Sequence, residues 1–254
     1  MLYSLAVVLM CLQQRSWAAR QCNIRIVDLD EESEVINLES YVEELGPTVW
    51  RSRASRNAIL AEQLNRETLL AEHGDAQVIL SSSNSYSHDT LTTSLRDYIL
   101  TTVDRDDLAT SRANETYYMF GHNDRQPPFK RLNENYIIPP CGPLCEGRGT
   151  KTLGVGGRGS GTSWHLHGPA FSEVLLGAKR WLIYPKGSEP DMQLAANKTM
   201  SKWIQEVLPL LPDKEKASIW DCIIEPGDML YFPLGLYHAT LNMDRYNAFV
   251  SYFV

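Results

Sequence analysis

A chain of 254 residues, 43% hydrophobic and 22% charged, has the length and apolar content of one globular domain with a real core. Its 24 Lys and Arg stand against 31 Asp and Glu for a net charge of −7, and no basic stretch gathers the cations, so a nucleic-acid partner is not expected. Beyond the first eighteen residues no segment has the roughly 20 apolar residues that a transmembrane helix takes, which excludes a later span.

Taken in chain order, Leu2 to Leu12 is an apolar run broken only by Tyr3 and Ser4. Ser16-Trp17-Ala18 then sets small residues where a signal peptidase reads, so residues 1–18 are expected to be a secretory signal. The competing reading, a membrane anchor, fails on length. Residues 19–254 follow as a single domain, with a mixed α/β part over 24–150 and a barrel core over 151–254. Ile24 to Asp28 alternates as a short strand. Ile59, Leu60, Leu64, Leu69 and Leu70 recur at helical spacing within 52–73. Gln77 to Leu80 reads as a strand, and 81–85 as a turn. Leu91, Leu95, Tyr98 and Ile99 again recur at helical spacing. Tyr117 to Phe120 is a strand stopped by Gly121. The proline-rich stretch 126–149 reads as an irregular connection with one strand at Tyr136 to Ile138. The glycine-rich run from Leu153 to Trp164 lacks the lysine and the following helix of a phosphate loop.

From Trp164 onward the chain is strand-rich. Val174 to Leu176, Trp181 to Tyr184, Ile223-Ile224, Met229 to Phe232 and Ala248 to Phe253 are strand runs, with turns at Pro226-Gly227 and Asn242 to Asp244. Met200 to Leu211 reads as a helix ended by Pro212. Strands divided by tight turns, with helices mainly before them, predict a mainly β fold: a jelly-roll barrel, or double-stranded β-helix, with N-terminal helical decoration.

A secretory route has further support. Asn114-Glu115-Thr116 and Asn197-Lys198-Thr199 are glycosylation triplets without a central proline. Loss of Cys11 with the signal leaves Cys22, Cys141, Cys145 and Cys222, an even set suited to an oxidising compartment. Four cysteines allow three pairings, and the sequence does not choose among them. Only one close pair exists, which disfavours a zinc site built from them. The final Ser251-Tyr-Phe-Val254 is not a retention tetrapeptide.

Three of the six histidines fall in two short motifs. His165-Leu166-His167 begins a strand, where side chains at i and i+2 share a face. His238 follows Pro233-Leu-Gly235, across a turn from Glu225-Pro-Gly-Asp228. If the two strands share a barrel, three imidazoles can bind one ion, and imidazole suits iron, copper, zinc and nickel. Gly227, Pro233, Gly235, His238 and Asn242 keep the spacing of the second cupin motif. Gly159 and the His pair resemble the first, with Glu173 too far on and Gly177 too near to complete it.

These residues, with Thr162-Ser-Trp-His165, Gly177-Ala-Lys-Arg-Trp181-Leu-Ile-Tyr-Pro185 and Glu225 to Pro233, resemble the JmjC oxygenases of the cupin superfamily. Together with the signal, His167-Gly-Pro-Ala-Phe-Ser-Glu-Val174 most resembles a member of the endoplasmic-reticulum lumen, which implies that location. The resemblance implies Fe(II) and 2-oxoglutarate as cofactors. It implies His165 and His238 as metal ligands, Lys179 as the grip on the far carboxylate of 2-oxoglutarate, and Thr162 as a hydroxyl beside it. His167 departs from it, because the family has a carboxylate there. Ala170 falls near the place of an asparagine that some members hold by the cosubstrate. Two functions follow. One is a luminal regulator acting on proteins through contacts, with a variant site of His165, His167 and His238. The other is an Fe(II)/2-oxoglutarate-dependent protein hydroxylase. His167 favours the first; the survival of His165, His238, Thr162 and Lys179 favours the second. A small-molecule cupin of the three-histidine type fits less well, since the Gly-x-Lys-Arg-Trp segment is a JmjC feature. No catalytic side chain is assigned, and the oligomeric state is not read from the sequence.

Overall fold

The computed structural model describes residues 22–29, 46–52, 56–84, 88–105, 116–141, 145 and 149–254. The expected signal at 1–18 and Asn114 lie outside these residues. The described strands are β1 (Arg25–Leu29), β2 (Thr48–Ser52), β3 (Gln77–Ser82), β4 (Thr90–Ser94), β5 (Tyr117–Phe120), β6 (Thr150–Gly156), β7 (Ala170–Leu176), β8 (Lys179–Ile183), β9 (Trp220–Ile224), β10 (Asp228–Phe232), β11 (His238–Asn242) and β12 (Asn247–Phe253). They form a long sheet ordered β1-β2-β10-β7-β12-β6-β5-β3-β4 and a short one ordered β11-β8-β9. Only β1 and β2 run parallel; the other described pairs are antiparallel.

The two sheets face each other across a shared apolar interior. Val49, Ala170, Val174, Leu230 and Phe232 of the long sheet meet Trp181, Ile183, Cys222 and Ile224 of the short one. Alternation sends the intervening residues outward. Phe171, Leu175, Val250 and Tyr252 pack beneath helices at Ala58–Leu64, Arg66–His73, Leu95–Tyr98 and Pro127–Glu134. On the other side Leu182, Tyr184 and Ala239 pack under Met200, Trp203 and Val207, from the helical insertion between β8 and β9. Strands covered on both faces lose the polar alternation of an exposed sheet, which is why β10 is buried at every position. This is the expected jelly-roll with helices outside it.

Each seam of the barrel is closed by a segment outside the regular strands. The chain after β6 runs along β11: Gly159 N donates to Asn242 O, Asn242 N to Ser160 O, Thr240 N to Thr162 O, and His165 and His238 exchange both backbone bonds, at 3.1 and 2.9 Å. Gly161 is required for this approach, since a Cβ there would sit 2.1 Å from Thr240 O. At the opposite seam Cys22 bridges β9 at Cys222, and the same residues form a disulfide across 200 positions of sequence. Asn23 reinforces it, with its side chain bonded to Ile219 O and to Asp221 N. The second disulfide joins Cys141 to Cys145.

Some elements differ from the sequence reading. The helical stretch within 52–73 is two helices, because Asn65 turns extended and its side chain accepts from Thr68 N at 2.8 Å. The stretch from Leu91 to Ile99 begins as β4, since its threonines suit a strand and pair with β3, and turns helical only after Ser94 caps Asp97 N. Within 126–149 a helix at Pro127–Glu134 stands where an irregular connection was expected; its prolines occupy the first turn, where a missing N–H does no harm. The expected strand at 136–138 is irregular instead. The Asn57 amide takes the place of a neighbouring strand by bonding both N and O of Ile137. The expected helix over 200–211 stops at Glu206, ahead of a 3-10 turn at Leu208–Leu210 that carries Pro209.

Candidate metal centre

The bridge between His165 and His238 sets two imidazoles side by side, with ring centroids 4.2 Å apart. His167 joins them from the irregular stretch before β7, 4.6 Å from His238 and 5.4 Å from His165. The three imidazoles therefore come together without the shared strand face that was expected. Residues 166–169 form no regular strand, and β7 begins only at Ala170. One ring nitrogen from each histidine falls within 4.8 Å of the others. Among the described residues no carboxylate or cysteine joins this group.

Each ring is oriented from behind. Nδ1 of His165 lies 2.7 Å from Ser163 O, Nδ1 of His167 lies 2.7 Å from Gly168 O, and Nδ1 of His238 lies 2.8 Å from Leu236 O. A carbonyl oxygen can only accept, so all three Nδ1 atoms carry a proton and donate it. The Nε2 lone pairs are then left for the interior, and those of His167 and His238 approach to 3.1 Å. Two such lone pairs repel unless a cation stands between them. A backbone carbonyl behind a ring is also the usual support of a metal-bound histidine.

Burial keeps the rings neutral. It pushes His165 down to about 4, with smaller opposing effects from its hydrogen bonds and smaller reinforcing ones from His167 and Lys179. It pushes His238 well below the ordinary range and lowers His167 as well. Phe232 stands 4.4 Å from the His238 ring, Phe253 4.8 Å from the His167 ring, and Trp181 stacks on His238 at 5.9 Å. These aromatics make one side of the cluster apolar.

The other side is polar. Lys179 is the first residue of β8, only 2% exposed, with its ammonium 3.3 Å above the Phe249 ring. Burial alone pushes it well below the usual lysine range, and no described acid offsets that. Thr162 bonds the Tyr118 hydroxyl through its own, and its N–H donates to Thr240 Oγ1 at 3.0 Å. Asn242 pairs with Lys179 across the two strands and donates to Ser160 Oγ at 2.9 Å, while its fully buried Oδ1 has no described partner. The sequence reading named Lys179 and Thr162 but missed Tyr118. Its only signal was the alternation of Tyr117-Tyr-Met-Phe120, which fits either tyrosine facing inward.

Glu173, the acid closest to the incomplete first cupin motif, faces the opposite side of β7. There it accepts from the Asn57 amide and the Tyr136 hydroxyl, both at 2.9 Å. It ties the outer layer to the barrel and is not part of the histidine group. His165 and His238 stand where the resemblance implies two Fe(II) ligands, and His167 puts an imidazole where it implies a carboxylate. The polar wall of Lys179, Thr162 and Tyr118 suits the far carboxylate of a 2-oxo acid. Asn197 is exposed, with φ of 53°, in the turn before Met200–Glu206.

Residues 171–251 match the JmjC domain family, a span that takes in Lys179 and His238 and begins just after His165 and His167. The chain is 37% identical over 193 residues to JmjC domain-containing protein 8 of Homo sapiens, covering 75% of this chain and 69% of that protein. It is 38% identical to the protein of the same name in Mus musculus, over 75% of this chain and 68% of that one. Lysine-specific demethylase JMJ21 of Arabidopsis thaliana is 31% identical over 115 residues, 39% of this chain and 12% of its own length.

Proposed function

This chain belongs to the JmjC domain family, and from that premise we propose that it is a secretory-pathway member that holds a metal ion on three histidines and works through contacts with other proteins. The observation that carries the metal reading is the convergence of three carbonyl-oriented imidazoles, their Nε2 atoms turned to one point. His167 supports a regulator over an enzyme, because a carboxylate is what leaves iron at low charge with open positions for oxygen and cosubstrate. The lumen is supported by the apolar leader, the triplets at Asn114 and Asn197, and two disulfides of a kind that persists where oxidant is available.

One observation favours the second reading, an Fe(II)/2-oxoglutarate-dependent oxygenase. Lys179 is a buried ammonium with no described counter-charge, beside an unpartnered Asn242 Oδ1. A buried charge left unpaired is expensive, and a bound anion removes that expense. Fe(II), held by His165 and His238 with His167, would supply oxygen activation. Lys179, Thr162 and Tyr118 would orient a dicarboxylate beside it. The plant relative named a lysine-specific demethylase supports an enzyme reading.

The experiment that separates the two uses purified residues 19–254. Bound metal is measured first, then 2-oxoglutarate consumption with and without Lys179→Ala. The regulator reading expects metal that is lost in His165→Ala and His238→Ala, and no consumption in any form. Consumption that Lys179→Ala abolishes establishes the oxygenase instead.

A further inference from the structure

We infer that His167 widens this centre's preference for a divalent cation of the zinc class over Fe(II), beyond what a two-histidine, one-carboxylate set would give. The inference rests on the reading of His165, His167 and His238 as metal ligands and goes on to name the cation and the residue that discriminates.

Three observations carry it. The donor set is all nitrogen: three imidazoles, with no described carboxylate in the group. Two histidines and one carboxylate with open positions are the Fe(II) pattern, and an imidazole in place of that oxygen donor turns the set into the three-histidine one that zinc takes. Each imidazole is also held by a neutral carbonyl and not by a carboxylate, so no charge reaches the ion through the rings. Last, the acid nearest in sequence to His167, Glu173, is committed to Asn57 and Tyr136 on the far face of β7 and does not reach the group. Three neutral imidazoles with a fourth position left to an exchangeable ligand form a set that zinc takes in four-coordinate geometry. The metal keeps its full dipositive charge there, which suits an anion or hydroxide as the fourth ligand.

Zinc outcompetes Fe(II) at most sites, so the meaningful quantity is the margin. The test is anaerobic competition dialysis of residues 19–254 against Zn(II) and Fe(II), with metal counted by mass spectrometry, for the native chain and for His167→Asp. His167→Glu serves as the second variant should the aspartate not fold. The native Zn(II)-to-Fe(II) affinity ratio is expected to exceed that of the carboxylate variant at least tenfold. Cobalt(II) loaded into the native protein is expected to give the intense visible bands of a four-coordinate ion. Equal ratios, or weak six-coordinate cobalt bands, overturn the inference and leave the metal centre standing. Binding of no divalent ion by the native protein removes the centre itself, and the inference with it.

Discussion

An imidazole in an unfolded chain titrates near 6.5, whereas burial pushes His165 down to about 4 and His238 below its ordinary range. Between those values the unfolded chain takes up protons that the native one refuses. In the metal-free protein these histidines therefore cost no stability above about pH 6.5 and lower it progressively as the pH falls toward 4. Denaturant midpoints across that range check the sign, and an ion on the Nε2 atoms is expected to shift the loss to lower pH. Lys179 gives a second prediction at this scale. Its ammonium is buried without a described acid, so Lys179→Met is expected to stabilise the fold by about 1 kcal/mol or more while abolishing any binding of a dicarboxylate. Isothermal titration and urea unfolding on one preparation read both effects. The histidines were legible in the sequence through motif spacing, and Lys179 through the family resemblance alone. Tyr118 was not, since two adjacent tyrosines in one strand differ only in the face they turn inward.

The elements that seat the histidines are the two seams. Gly161 lets the strand after β6 approach β11, and a Cβ 2.1 Å from Thr240 O would force the two apart at the His165–His238 bridge. Gly161→Ala is expected to lower stability by about 1–3 kcal/mol and to weaken metal retention with it. On the other side the Cys22–Cys222 disulfide spans 200 residues, so removing it as a double serine variant is expected to destabilise the protein by about 2–5 kcal/mol, read by thermal unfolding. Three pairings were open in the sequence because nothing local relates Cys22 to Cys222; only the closed barrel brings them together. The same limit explains the misread elements. The threonines around Leu91 and the prolines at 127 and 128 obey local rules, strand preference and first-turn tolerance, that a hydrophobic period does not register. Parts of β7, β8, β9, β10 and β12 were legible as short apolar runs near Gly, Pro or Asn, whereas β11, His-Ala-Thr-Leu-Asn, has no such run and was not.

At the scale of the whole molecule, three apolar layers hold the two sheets: one inside the barrel and one on each outer face. The outer layer over β8 and β11 centres on Trp203, with Trp164 edge-on at 5.1 Å and Tyr184 edge-on to Trp164 at 5.1 Å. Trp164 immediately precedes His165, so this cluster fixes the entry to the site as well as the sheet. Among the described residues no helix is long and apolar enough to cross a membrane. The claim on which the rest depends is that His165, His167 and His238 hold one ion together. It is tested most directly by counting divalent metal per chain after reloading and dialysis, in the native protein and in folded His165→Ala and His238→Ala variants. One ion per native chain and almost none in either variant is the predicted result. An unloaded native chain, or a variant that keeps its ion, would contradict it.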